Sequence, residues 1–411
     1  MRALATLPVA SIASPGLLAL SLGLLAPSSP HSVSIPANPR PVSTQEQADA
    51  ETRLDLEAIR GTIDKAVAWM LANQQEDGSW GSHHSPRPIE VLASVPGSQQ
   101  AFKVATTALC VSALQDCSRA GDEGLAAAER GVDYLLKAYD VKRMSGLEHY
   151  NVWSFGYVLQ CFGERMLAYP GDPRNRDMRA ACRRLVEKLG TYQTLDGGWG
   201  YLSIDGIKTF QPSFTSMSFT TATILVGLSR ARSAGVELPE KLVGRAVEHV
   251  KRSRLPDGAF LYGEYLKYSP RADINQRPGS ACRNPLCHYA LRLFGEPTPQ
   301  PDSMVESLRD LLVRYDRLQE ASLRRPIPHE SWFSISGYFY LYGQAYAALA
   351  LQDLSPEEQD ELWPELVDAV MVCHQPDGSF WDYPLYSYHK PYGTAFALQA
   401  LSRVPGIAQP N

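Results

Sequence analysis

This chain of 411 residues is short of several features that would classify it at once. It offers no apolar run of comfortable membrane-spanning length: GLLALSLGLLA at 16–26 is about half of the roughly 20 residues a spanning helix needs. It has little excess charge, a formal −5, with basic residues scattered among acidic ones, so no nucleic-acid partner is expected. Its seven cysteines (110, 117, 161, 182, 282, 287 and 373) are too sparse for a disulfide framework, and their odd number leaves at least one thiol unpaired. Most fall in apolar helical runs and read as buried small hydrophobes; Cys282 and Cys287 are the pair to test for a disulfide. Cys287-His288 and Cys373-His374 lack the paired-ligand spacing of a zinc motif. No metal and no cofactor is expected. Strand signals are scarce as well.

What is present is ordinary globular material, 44% hydrophobic and 20% charged. Residues 1–50 stand apart. Arg2 is followed by an uncharged stretch up to Arg40, combining the apolar run with a Pro/Ser-rich spacer. This is the pattern of an export signal, so a periplasmic, secreted or N-terminally anchored protein is expected, compatible with peripheral contact to a membrane. Folded structure is expected over 52–405.

Within that region one short pattern recurs: QQEDGSWG (74–81), QTLDGGWG (193–200), LPDGAF (255–260) and QPDGSFW (375–381). Upstream of the first lies a helical run with Leu56, Ile59, Ile63 and Val67 on one face and the landmarks Lys65, Trp69 and Met70. The landmarks return at Arg130, Tyr134 and Tyr139, and again at Arg245, His249 and Arg254. With residue 74 as anchor, the equivalents are 139, 193, 254, about 315, and 374, spaced 54 to 65 residues apart. After each turn comes a second run, poorer in charge: roughly 101–117, 150–168, 214–232, 280–294, 334–352 and 391–404. Helices apolar nearly all round are buried ones. Six amphipathic helices alternating with six buried ones predict an all-α fold, a single α6/α6 toroid of six helical hairpin repeats. The Gly of each Asp-Gly supplies a turn conformation that a β-carbon disfavours, and the aromatic after it is expected to pack on the neighbouring hairpin.

The stretch KAVAWMLANQQEDGSW (65–80) resembles the QW repeat of squalene-hopene and other terpenoid cyclases, whose single-toroid relatives include the protein prenyltransferase β subunits. The resemblance covers about 57–404 and implies a central cavity for an isoprenoid. In that family, cyclases that start by protonation use an Asp-x-Asp-Asp-Thr-Ala segment at the start of an inner helix. Three segments here end in Thr-Ala, KVATTA (103–108), MSFTTA (217–222) and KPYGTA (390–395), and none contains a carboxylate. The prenyltransferase zinc site is missing too: NPLCHYAL (284–291) has Pro285 at the Asp position, and Gly393 and Thr394 stand about where the family's histidine falls. No Asp-rich cluster for magnesium-held diphosphate is present.

The resemblance implies that aromatic side chains line the centre, where they stabilise carbocations by cation–π attraction. The expected lining residues are Trp153, Tyr157, Phe214, Trp332, Tyr338, Tyr342 and Tyr392. Candidate acids and bases are Asp382 with His389 close behind it, and Glu330 beside His329, with Asp205 and Glu148 as weaker candidates. The alternative for Asp382 is a cap on the turn before Pro384. The loop at 271–285, with its three arginines, would cover the mouth of the ring, bind an anion or form solvated surface. Three readings stay open: an isoprenoid cyclase with a nonstandard acid, a non-catalytic toroid binding lipid or protein, and a polysaccharide lyase or hydrolase on a similar ring.

Overall fold

The computed structural model describes residues 54–81, 96–142, 150–200, 216–296, 303–314, 340–382 and 389–407. The chain divides into Met1–Glu51 and Thr52–Asn411, and every described residue lies in the second unit.

Each hairpin opens on an amphipathic helix. In α1 (Leu56–Ala72), Ile59, Ile63, Ala66, Val67 and Met70 are buried, spaced three and four apart so that they share one face. Asp55 caps its start by accepting from Ala58 N. The same pattern shapes α3 (Gly121–Ala138), α5 (Asn175–Tyr192) and α7 (Glu240–Arg252). It also shapes the short α9 (Ser303–Arg309), continued by a π-helical turn at Asp310–Arg314, and α11 (Pro356–Met371). Ser355 and Glu358 form a capping box at the start of α11. The alternate helices are α2 (Pro96–Asp116), α4 (Asn151–Ala168), α6 (Ser218–Ser233), α8 (Asn284–Leu293), α10 (Tyr340–Leu351) and α12 (His389–Leu401). All twelve residues of α10 are buried, as a helix surrounded by other helices requires.

The contacts close a ring. The even-numbered helices pack in the order α2, α4, α6, α8, α10, α12 and back to α2, and each also packs on the odd-numbered helix that follows it in the chain, with α12 returning to α1. The fold is therefore the α/α toroid expected from the repeat. The described residues contain no strand, only the isolated bridges Trp199–Met217, Arg254–Phe260 and His374–Phe380, all beside Asp-Gly turns.

These turns join the hairpins. Gly78 has φ +86°, and a β-carbon on it would lie 2.4 Å from the Arg130 carbonyl oxygen on α3. Gly378, at φ +90°, lies against α1 in the same way, with an added β-carbon 2.8 Å from the Lys65 carbonyl oxygen, which is where the last hairpin meets the first. The Gln74 amide donates to the Gly78 and Ala127 carbonyls, both at 2.8 Å, and Gln193 does the same to Gly197 and Leu242. The Thr of each Thr-Ala segment has a role here. Thr107, Thr221 and Thr394 accept the backbone N–H of Trp80, Trp199 and Phe380 at 2.9–3.0 Å, and Asn284 does so for Phe260 at 3.0 Å.

One expectation changes. The fourth inner run was expected from residue 280, but the helix restarts at Asn284 after a separate turn at Arg277–Ser280. Pro285 can stand in a first turn but clashes within a continuous helix. In the 271–285 loop two of the three arginines are engaged within the protein: Arg277 pairs with Asp310 and Glu306, and Arg283, 4% exposed, donates to the carbonyls of Phe260, Gly279 and Ile274. All seven cysteines, Cys282 and Cys287 included, are buried and none forms a disulfide.

Two glycine substitutions test the joint. Gly78→Ala should lower unfolding free energy by about 2 kcal/mol or more, since it adds positive-φ strain to a steric clash. Gly61→Ala, in α1 with nothing within 4 Å of the new β-carbon, should instead gain about 0.5–1 kcal/mol. Denaturant melts of both variants read the difference.

Candidate functional site

The faces of the inner helices determine what lies in the middle. On α4, Trp153, Tyr157, Gln160 and Glu164 follow one another at spacings of four, three and four, which stacks them on one side of the helix. Rings from α6, α10 and α12 meet them. Trp153 lies 5.7 Å from Tyr157, 6.0 Å from Phe219 and 6.0 Å from Tyr342. Tyr342 is 5.0 Å from Tyr346 and 5.9 Å from Phe396, and Phe396 is 6.2 Å from Tyr157 and 5.6 Å from Tyr392. Most of these pairs are edge-on or tilted, the arrangement favoured by ring quadrupoles. Since α4 and α10 face each other across the ring, the Trp153–Tyr342 contact spans its middle. The Tyr342 hydroxyl also shares a 2.8 Å hydrogen bond with Thr223 of α6.

Four of the expected lining residues, Trp153, Tyr157, Tyr342 and Tyr392, thus come together in one aromatic core. Trp153 and Tyr392 are half-buried and the other two are buried. Burial pushes the hydroxyls of Tyr157, Tyr342 and Tyr392 well above the usual tyrosine range, so they remain neutral donors. Phe214, Trp332 and Tyr338 lie outside the described residues, as do Glu330, Glu148 and Asp205.

Asp382 is 0% exposed and reaches the same core from the turn after Phe380. Its Oδ2 accepts from Leu341 N at 3.0 Å, in the first turn of α10, and its Oδ1 accepts from the Tyr392 hydroxyl at 3.3 Å. It satisfies an orphan donor at the start of α10; the turn before Pro384 lies outside the described residues. His389 is the first residue of α12; its side chain lies outside the described residues, and with it the Asp382–His389 pairing.

At the opposite end of the inner helices stands a carboxyl that the sequence reading did not select. Glu164 lies eleven residues beyond Trp153 on α4, about 16 Å along the axis at 1.5 Å per residue. Its oxygens accept from Ser112 Oγ at 2.8 Å and Gln160 Nε2 at 3.0 Å. Arg230 Nε is 3.8 Å away, and the same guanidinium donates to the Tyr289 hydroxyl at 2.9 Å. Burial, reinforced by the charge of Asp116 and opposed by Arg230 and the Ser112 hydrogen bond, raises this carboxyl from 4.5 to about 7. The signal that could have found it is its register with Trp153 and Tyr157.

His288 and Cys287 form no site. The imidazole stands edge-on to Phe260 at 4.9 Å and burial depresses it to about 3, while burial pushes the Cys287 thiol up to about 12.

A closed ring of helical hairpins, tied by Asp-Gly-aromatic turns around an aromatic core with a carboxyl at each end, is a toroid of the terpenoid-cyclase type. The family model of the squalene-hopene cyclase C-terminal domain matches residues 51–265, and the chain belongs to that family. A squalene–hopene cyclase of Zymomonas mobilis is 25% identical over 256 residues, covering 55% of this chain and 36% of that protein; the chain thus spans little more than a third of this curated relative. Among solved structures, the type II terpene cyclase MstE from Scytonema superposes with a TM-score of 0.52 at 15% identity, over 85% of this chain and 99% of that one. A variant of the same cyclase, solved with geranylgeranyl dihydroxybenzoate as substrate, gives 0.52 at 14% identity over 85% and 97%. An α-1,6-mannanase of Salegentibacter gives 0.51 at 8% identity over 85% and 99%. At these identities the structural likenesses concern the fold alone.

Because the folded chain holds the Glu164 proton more tightly than the unfolded chain does, stability should fall as pH rises from about 4.5 to about 7 and level off above. Glu164→Gln should remove this component. Melts of both proteins across that range should show the variant gaining on the parent with pH, by up to about 3 kcal/mol.

Proposed function

We propose that the chain binds an isoprenoid in the centre of the ring and isomerises it by proton transfer, with Asp382 as acid at the end where the inner helices begin and Glu164 as acceptor at the end where they finish. The observation that carries this reading is the aromatic core lying between the buried Asp382 and the largely enclosed Glu164. Proton-initiated cyclisation needs that order of groups. An acid adds a proton to a terminal alkene, the cation migrates as neighbouring π bonds close into rings, and a base removes a proton, so the product is an isomer of the substrate. Each ring face met by the cation contributes about 0.5–2 kcal/mol.

The two carboxyls suit different halves of this sequence. Leu341 N–H and the Tyr392 hydroxyl donate to Asp382 and stabilise the carboxylate that remains once its proton has left. Glu164, titrating near 7, is far too weak an acid to protonate an alkene, yet it is an effective acceptor at neutral pH. Entry of a ligand requires the Trp153–Tyr342 contact to open, and the half-buried Trp153 is the side chain with room to move. The N-terminal 50 residues are proposed to direct export.

A second reading, a toroid that binds an apolar ligand without turnover, is favoured by the absence of carboxylates from the three Thr-Ala segments and by that same closed contact.

Incubation of the purified chain with squalene, shorter polyprenes and geranylgeranyl dihydroxybenzoate, followed by gas chromatography–mass spectrometry, separates the two. The first reading expects a cyclised isomer, reduced at least 100-fold in Asp382→Asn, which retains an acceptor for Leu341 N–H and should melt close to the parent. Unchanged substrates together with a co-purified lipid would establish the second.

A further inference from the structure

The Asp of the repeated turn has a lysine beside it in two hairpins. Lys103 Nζ lies 2.8 Å from Asp77 Oδ2, and Lys390 Nζ lies 2.7 Å from Asp377 Oδ2. Both lysines stand four residues before the threonine that accepts the aromatic N–H. In the third hairpin that position is Met217, and among the described residues no lysine pairs with Asp196. Two further departures coincide there. The serine that follows Asp-Gly in the two lysine-paired turns, Ser79 or Ser379, is Gly198. The neighbouring outer helix presents His249 where the landmark pattern has Trp69 or Tyr134. The changes fit together, since a β-carbon on Gly198 would lie 2.6–2.7 Å from the His249 imidazole.

The imidazole is 0% exposed. Its Nδ1 lies 3.2 Å from Glu264 Oε2, 3.9 Å from Asp196 Oδ2 and 3.4 Å from Ser216 Oγ, and the Ser216 hydroxyl donates to Asp196 Oδ2. One ligand atom from each of Asp196, His249 and Glu264 lies within 4.8 Å of the others. We propose that these three residues, with the Ser216 hydroxyl as fourth donor, hold a divalent cation that joins the third and fourth hairpins where other hairpins use lysine.

The geometry and the donor set favour a zinc-like ion. Bonds of 2.0–2.2 Å in a tetrahedron place ligand atoms about 3.4 Å apart, against 3.2–3.9 Å from His249 Nδ1 to the other three donors and at most 4.8 Å within the Asp196–His249–Glu264 set, so side-chain movements of about an ångström are required. One imidazole with two carboxylates suits a borderline ion better than calcium or magnesium. Arg252 supplies the outer support expected of a ligating carboxylate: its Nε donates to Glu264 Oε1 at 3.1 Å and its Nη2 to the Asp196 carbonyl. The Nη2 contact to Oε2, at 3.0 Å, is the one that the ion would replace.

The test uses the full chain, stripped with a chelator and titrated with Zn2+ by calorimetry, with Co2+ absorption as a reading of coordination. The expected result is one equivalent bound at a Kd of about 1 μM or tighter, a tetrahedral Co2+ spectrum, and a Tm that rises with free Zn2+. His249→Gln and Glu264→Gln should each weaken binding at least 100-fold, while His288→Gln should leave it unchanged. Glu264→Gln keeps shape and hydrogen-bonding capacity, so its result stands even if His249→Gln fails to fold. No binding to the parent, or binding unaltered in Glu264→Gln, overturns the proposal.

Discussion

The structure depends on the joint between an Asp-Gly turn and the next outer helix. One hairpin of two helices cannot cover its own buried helix, so each must be sealed by its neighbour, and a ring of six must be sealed without a gap. The joint does this with backbone as much as with side chains. Glycine lets the turn lie against the Arg130 or Lys65 carbonyl, glutamine bridges to the neighbouring helix in two of the turns, and an inner-helix side chain takes up the aromatic N–H. A backbone donor buried without that acceptor would cost about 1–3 kcal/mol. The joint at Gly378 is the same device used to close the circle.

This accounts for the threonines of the three Thr-Ala segments, none of which contains a carboxylate. The threonine supports the joint. Thr107, Thr221 and Thr394 are tied to the turns. A carboxyl does meet the aromatic core, that of Asp382, which arrives from the turn before α12 and is anchored to the first turn of α10.

The centre follows a related logic. Inner helices facing one another must fill the space between them, and aromatic rings do so at low cost in conformational entropy. A tyrosine hydroxyl there needs a partner, found for Tyr342 at Thr223. Desolvation, with the charge of Asp116 nearby, is why Glu164 holds its proton far above the ordinary glutamate range despite the hydrogen bonds from Ser112 and Gln160.

The hairpin count, the alternation of outer and inner helices and the stapling role of the turn were legible in the amino-acid sequence, because local propensity and a repeat of 54 to 65 residues record contacts between neighbours in the chain. Membership of Trp153, Tyr157, Tyr342 and Tyr392 in one core was legible for the same reason, since each sits on an apolar helical run. The destination of Asp382, the elevated proton affinity of Glu164 and the gathering of Asp196, His249 and Glu264 were not. Those depend on distance and desolvation between residues that ring closure brings together. A spacing pattern records which face a residue occupies, but only the tertiary structure sets what stands opposite and how much water remains.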